Sequence, residues 1–125
     1  MKLINDFFEI IAKESNDNEL RCQVRINPDH YIYQAHFPGN PVTPGVCLIQ
    51  MAEEILRQEY DKDYQLFLLK SIKFKKIVEP ADKPVFVFNN MTEDEEGHLC
   101  VNVGIGVDDD PTMYVKMSVQ YEIRK

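Results

Sequence analysis

Nothing in the sequence approaches the roughly 20 consecutive apolar residues that a helix needs to cross a bilayer. The first fifteen residues, MKLINDFFEIIAKES, also lack the marks of a signal peptide. A single lysine is followed by Asp6 and Glu9 inside the apolar stretch, with no small-residue cleavage site. They read as part of the mature fold of a cytoplasmic protein. Cysteine is scarce. Cys22, Cys47 and Cys100 are odd in number, far apart and without CxxC spacing, which argues against a disulfide framework and against a zinc site. Each reads as a small buried apolar residue. Cys47 has no histidine at an activating spacing, which speaks against a nucleophilic role. Positive charge is in deficit: the net charge is −7, so the chain should repel DNA, RNA and anionic lipid. There is no internal repeat, low-complexity tract or linker. The three histidines show no metal-ligand spacing, so no metal is expected.

What is present is one domain's worth of chain, residues 1–125, with 44% hydrophobic residues and enough length for one core. Leu3, Ile4, Phe7, Phe8, Ile10 and Ile11 come close to helical period and predict a helix over 3–14, ended by Ser15 to Asn18. Glu19 to Asn27 alternates Leu20, Cys22, Val24 and Ile26 with polar residues, which predicts a strand with one buried face. Tyr31 to Tyr33 reads as a short extended piece. A second helix should start near Pro44, where a missing N–H costs nothing. Val46, Leu48, Ile49, Met51, Ala52, Ile55 and Leu56 make it apolar on most sides, hence buried, with a polar end from Arg57 onward.

Strands follow over Leu66–Val78, Val85–Asn89, His98–Val107 and Thr112–Ile123, separated by turns at Pro80–Asp82, Thr92–Gly97 and Asp108–Pro111. In the first of these, Lys73 and Lys75 should point outward while Ile72, Phe74 and Ile77 pack. Short turns between consecutive strands favour an antiparallel sheet. A single apolar helix needs a concave apolar surface, and a sheet curled around it supplies one. The expected class is α+β.

One window is denser in information than the rest: HFPGNPVTPGVCLIQMAEE, His36 to Glu54. It resembles the motif HFPGxPVMPGVLxxExMAQ of the β-hydroxyacyl-ACP dehydratases of the hot-dog fold. The matches are His36, Phe37, Pro38, Gly39, Pro41, Val42, Pro44, Gly45 and Val46, with Met51-Ala52 displaced by one place. Downstream, FKKIVEPAD (Phe74 to Asp82) is similar to the family's FkrPVxPGD. Two positions depart. The helix acid, fourteen residues after the histidine, falls on Gln50, and the methionine before the second Pro-Gly is Thr43.

The resemblance implies a single hot-dog domain in which a curved antiparallel sheet wraps a central helix. It implies elimination of water from a 3-hydroxyacyl thioester held on the 4'-phosphopantetheine of acyl carrier protein, without a cofactor, in fatty-acid or related acyl-chain synthesis. His36 would be the base that takes a proton from carbon 2, since imidazole titrates near neutrality. The backbone amides of Gly45 and Val46, free at the helix start, would hold the charge that builds on the thioester oxygen. Gln50 would position the hydroxyl or a water, because an amide hydrogen-bonds but cannot serve as a carboxylic acid. Glu54, one turn further on, is weighed as a substitute acid against the plainer reading of a solvated charge, a reading that also suits Glu53. His30 and His98 read as solvated. Lys70, Lys73, Lys75 and Lys76, joined by Arg57, form a basic cluster that would attract the acidic carrier protein. Hot-dog subunits pair edge to edge, so a homodimer, a higher oligomer or a heterodimer with an active homologue is implied. Two further readings share the fold: a catalytically degenerate subunit that binds acyl carrier protein without turnover, and a thioesterase, which normally uses a carboxylate to activate water.

Overall fold

The computed structural model describes residues 2–35, 39, 41–108, 110 and 112–124. Among them the order of elements is β1 (Phe8–Ser15), β2 (Glu19–Ile26), α1 (Tyr31–Ala35), α2 (Gly45–Tyr60), β3 (Tyr64–Phe74), a 3-10 turn (Pro80–Asp82), β4 (Val85–Glu93), β5 (Leu99–Gly106) and β6 (Val115–Ile123). The strands form one antiparallel sheet in the order β1-β2-β4-β5-β6-β3.

Alternation along the strands puts one row of side chains on the helix side. Leu20, Cys22, Val24 and Ile26 of β2, Phe86 and Phe88 of β4, Val103 and Ile105 of β5, and Val115, Met117, Val119 and Tyr121 of β6 are all buried. Against them α2 lays Leu48, Met51, Ala52, Ile55 and Leu56, and the two sets form one hydrophobic cluster. Bulges between Ile10 and Ala12, on either side of Leu68 and Leu69, and between Asn89 and Thr92 interrupt the register. Each adds local bend and twist, which lets the sheet curl around α2. The α+β class and the wrapped helix are as expected from the sequence.

Four expectations are corrected. The predicted helix over 3–14 is instead a turn followed by β1, which pairs with β2 from Phe8↔Ile26 to Ser15↔Leu20. The doubled apolar pairs Phe7-Phe8 and Ile10-Ile11 mimic helical spacing, and the extra residue of the Ile10/Ala12 bulge is what breaks the period-two signal. Tyr31–Ala35 is a short helix rather than an extended piece. Phe74 and Ile77 are more than half exposed rather than buried: Phe74 ends β3, an edge strand with no further strand beyond it among the described residues, and Ile77 lies past the end of that strand. Nor is α2 buried all round. Its covered arc runs through Cys47, Leu48, Met51, Ala52, Ile55 and Leu56, and Val46 lies on the other side of the wheel, 74% exposed.

Candidate active site

The N-terminal end of α2 is built by its own sequence. Pro44 stands at the N-cap with an extended ψ of 141°, so its carbonyl accepts the first helical bonds, from Cys47 N at 3.0 Å and Leu48 N at 3.3 Å. The amides of Gly45 and Val46 come before that ladder, and among the described residues neither has an acceptor. Gly45 is there because of a close approach: a Cβ at this position would stand 2.7 Å from Cζ of Phe74. The Phe74 ring therefore lies directly against the first turn of α2. Around this point Val42, Thr43, Pro44, Gly45, Leu48 and the segment Phe74–Val78 line a groove of about 370 Å³.

The chain leading into α2 is held at two points. Thr43 N donates to the carbonyl of Val78 at 2.9 Å, and the Thr43 hydroxyl is 2.8 Å from the Tyr33 phenol, with both side chains buried. Burial pushes the Tyr33 phenol up to about 12, against an opposing pull from its bond to Thr43. Tyr33 also stacks on Phe7, with centroids 5.6 Å apart. The loop between these stems carries His36, which lies outside the described residues together with Phe37, Pro38 and Asn40.

Gln50 sits at the border of the buried arc of α2. Its Nε2 donates to Oε2 of Glu54 at 2.8 Å. Glu54 is neither the solvated charge nor the substitute acid that the sequence raised. It is 4% exposed, and its oxygens accept from Leu3 N at 3.0 and 2.9 Å and from Ile4 N at 2.7 Å. With both oxygens engaged by N–H donors, it offers no O–H to a substrate. Glu53 is also bound into the structure, accepting from Leu66 N at 2.7 Å and pairing with Arg57 at 2.8 Å. That pairing turns Arg57 toward α2 and β3 rather than toward a basic patch.

The other two histidines are structural, not solvated. His30 is buried. Its Nδ1 accepts from Ile32 N at 3.2 Å, so Nε2 carries the hydrogen that faces Asp6 at 3.1 Å. His98 pairs with Asp94 at 3.1 Å and stacks on Phe67, with centroids 4.1 Å apart. Burial raises the Cys47 thiol above its ordinary value, which disfavours the nucleophilic thiolate.

The lysines divide into two groups. Lys75 and Lys76 line the groove beside Gly45, and their amides are tied to the carbonyl of Tyr114 at 2.7 and 3.2 Å. Lys76 Nζ lies 5.1 Å over the Tyr114 ring and 4.0 Å from Asp110. Lys73 lies on β3 directly across from Lys116 of β6, beside a groove of about 640 Å³ on the sheet. Lys70 is exposed at the bulge between Leu69 and Ser71. Lys116 was absent from the basic cluster read from the sequence. The strict alternation of β6, with Lys116 between Val115 and Met117, is the signal that points it outward.

Comparison with known proteins bears on this geometry. A family model described as ApeI-like, ApeI dehydratase, matches residues 12–103. Among curated proteins, the chain is 30% identical over 83 residues to a 3-hydroxyacyl-[acyl-carrier-protein] dehydratase FabZ of Levilactobacillus brevis, covering 61% of this chain and 56% of that protein. It is 32% identical over 94 residues to the FabZ of Lactobacillus helveticus, covering 66% of this chain and 64% of that protein. The chain thus spans between about half and two thirds of these two relatives. Among solved structures, the dehydratase heterocomplex ApeI:P from Xenorhabdus doucetiae superposes with a TM-score of 0.73 at 19% identity, covering 92% of this chain and 96% of that one. A putative thioesterase from Silicibacter superposes at 0.63 and 10% identity, covering 96% and 81%. At such identities the superpositions speak to the fold, whereas the family model covers most of the sequence. The chain belongs to the ApeI-like dehydratase family.

Proposed function

We propose that this protein eliminates water from a 3-hydroxyacyl thioester carried on acyl carrier protein, as a lyase of fatty-acid or related acyl-chain synthesis. The observation that carries the reading is the start of α2, where two successive amides have no acceptor among the described residues and the first of them, at Gly45, belongs to a residue lining a groove. Oriented N–H donors at a helix N-terminus are suited to an oxygen that gains negative charge during reaction.

In this reading His36 removes a proton from carbon 2, and the resulting enolate oxygen is held by the amides of Gly45 and Val46. The bond between carbon 3 and its hydroxyl then breaks. The proton on the imidazolium passes through a water held by Gln50 to the departing hydroxyl, which leaves as a second water. The double bond between carbons 2 and 3 completes the balance without a cofactor. The rate should be low, since a missing general acid typically costs ~10²–10⁴. Lys75 and Lys76 receive the acidic carrier protein beside the groove, with Lys70 and Lys73 contributing at longer range. Subunits pair through β3, an edge strand that exposes Phe67, Leu68 and Phe74.

The experiment is incubation of the purified protein with a panel of 3-hydroxyacyl carrier proteins, read by mass spectrometry as loss of one water. Turnover that vanishes in His36→Ala supports the reading. Tight binding of the acylated carrier with no loss of water on any chain length overturns it in favour of a degenerate partner subunit, which the amide at position 50 favours.

A further inference from the structure

The contact between Gln50 and Glu54 fixes more than a side chain. A carboxylate oxygen at 2.8 Å from an amide needs a donor there, so the amide atom facing Glu54 is Nε2 and not Oε1. The other contacts of Glu54 agree: Leu3 N and Ile4 N both donate to it, so it is surrounded by hydrogens and acts as an acceptor on both oxygens. The carbonyl Oε1 of Gln50 is then turned away from Glu54. At position 50 the acceptor end of the amide is thus the one left to groups other than Glu54.

The sequence makes the pair more pointed. The motif HFPGxPVMPGVLxxExMAQ has its acid followed four residues later by glutamine. Aligned without a gap, this chain has Gln50 followed four residues later by Glu54. Amide and acid have exchanged places, one helical turn apart and in hydrogen-bond contact. Restoring a glutamate at position 50 alone would set two carboxylates side by side, in a site where one of them is already buried. Exchanging both residues keeps the contact between positions 50 and 54 and gives up only the 2.9 Å bond from Leu3 N to Oε2. A glutamine at 54 can accept from Leu3 N and Ile4 N through Oε1 and donate through Nε2 to a glutamate at 50.

We infer that Glu54 is a positioning residue that holds Gln50 with its carbonyl presented as an acceptor, so that the chemistry at position 50 depends on the 50/54 pair and not on residue 50 alone. The inference rests on the proposed dehydration only in placing Gln50 beside the substrate. In the mechanism above it makes Gln50 accept a hydrogen bond from the water that carries the proton, which aims that water's lone pairs elsewhere.

The test uses wild type, Glu54→Gln, Gln50→Glu and the double exchange Gln50→Glu/Glu54→Gln. Two readouts are needed: kcat and KM for loss of water, and the Gln50 side-chain amide signals in a ¹H–¹⁵N spectrum. Each single variant should lower kcat by about tenfold with KM within about twofold, and the double exchange should recover wild-type kcat or exceed it. The Gln50 amide signals should shift in Glu54→Gln. The shorter carboxylate of Glu54→Asp should shift them too, a measurement that stands even if Glu54→Gln fails to fold. Gln50→Glu alone equalling the double exchange in kcat overturns the inference, as do Gln50 amide signals that ignore both Glu54→Gln and Glu54→Asp. If no protein of the set eliminates water, the proposed function falls, and the amide spectrum alone then upholds or overturns the pair.

Discussion

The Tyr33 phenol and the Thr43 hydroxyl lie 2.8 Å apart in the interior, clasping the two stems of the loop that joins α1 to α2. Tyr33→Phe leaves the Thr43 hydroxyl buried without that partner, at a cost of roughly 1–3 kcal/mol. Because the loop carries His36, kcat should fall as well. Removing both hydroxyls with Tyr33→Phe/Thr43→Val preserves shape and should be less destabilising than the single change. Urea denaturation of the three variants checks the order. A double variant weaker than Tyr33→Phe would show that the hydroxyl pair is not what holds the stems.

Tyr121 presents the reverse situation. Its side chain is fully buried, and its hydroxyl has no hydrogen-bond partner among the described residues. Burial also raises its ionisation well above the usual phenol range. Tyr121→Phe removes a polar atom that is unsatisfied there, so it should be neutral or stabilising by up to about 1 kcal/mol. Thermal melting decides the matter, and a clear loss of stability would mean that the hydroxyl has an unrecognised partner.

Stability should decline at high pH for a definite reason. Burial raises the Cys22 thiol from 9.0 to about 11 and the Tyr33 phenol from 10.0 to about 12. Both groups are neutral when protonated, and the folded state retains those protons longer than the unfolded chain does. Their contribution is whole below the unfolded values and is lost as pH rises through the folded ones. Urea midpoints measured from neutral to strongly alkaline pH should therefore fall, beginning near 9. Cys22→Ala should flatten the first part of that fall. In the native protein Cys100, which is partly exposed, should react with iodoacetamide before Cys22 or Cys47.

The division of the lysines yields a further expectation. Lys75 and Lys76 line the groove at the start of α2, while Lys73 belongs to another groove with Lys116. Charge reversal at Lys75 or Lys76 should raise KM for a carrier-bound substrate by about tenfold, more at low salt than at high, and leave a free pantetheine thioester unaffected. Lys73→Glu should do less. Equal effects at all three positions would mean that the carrier protein covers both grooves.

Much of this was legible in the residues, and the failures share a cause. Strands β2, β5 and β6 alternate strictly, so their buried faces could be read directly, and the Pro-Gly stretch marked the start of α2 to within a residue. The first strand was misread because a bulge spoils its alternation and an edge strand needs no polar outer face. Glu54 looked like a surface charge because its partners, Leu3 and Ile4, are 51 and 50 residues away. His30 looked solvated because Asp6 lies 24 residues upstream. Local pattern reports which face of an element is apolar. It does not report which polar groups another segment will bring to be satisfied there.

The grip of Glu54 on Leu3 and Ile4 bears on how the chain is handled in the laboratory. A start site trimmed past Ile4 would withdraw donors from a buried carboxyl one turn away from Gln50, and a bulky handle fused directly ahead of Lys2 would crowd the segment that supplies them. Feeble turnover by such a preparation would speak of the fusion rather than of the enzyme, and a handle placed after β6 avoids the confusion.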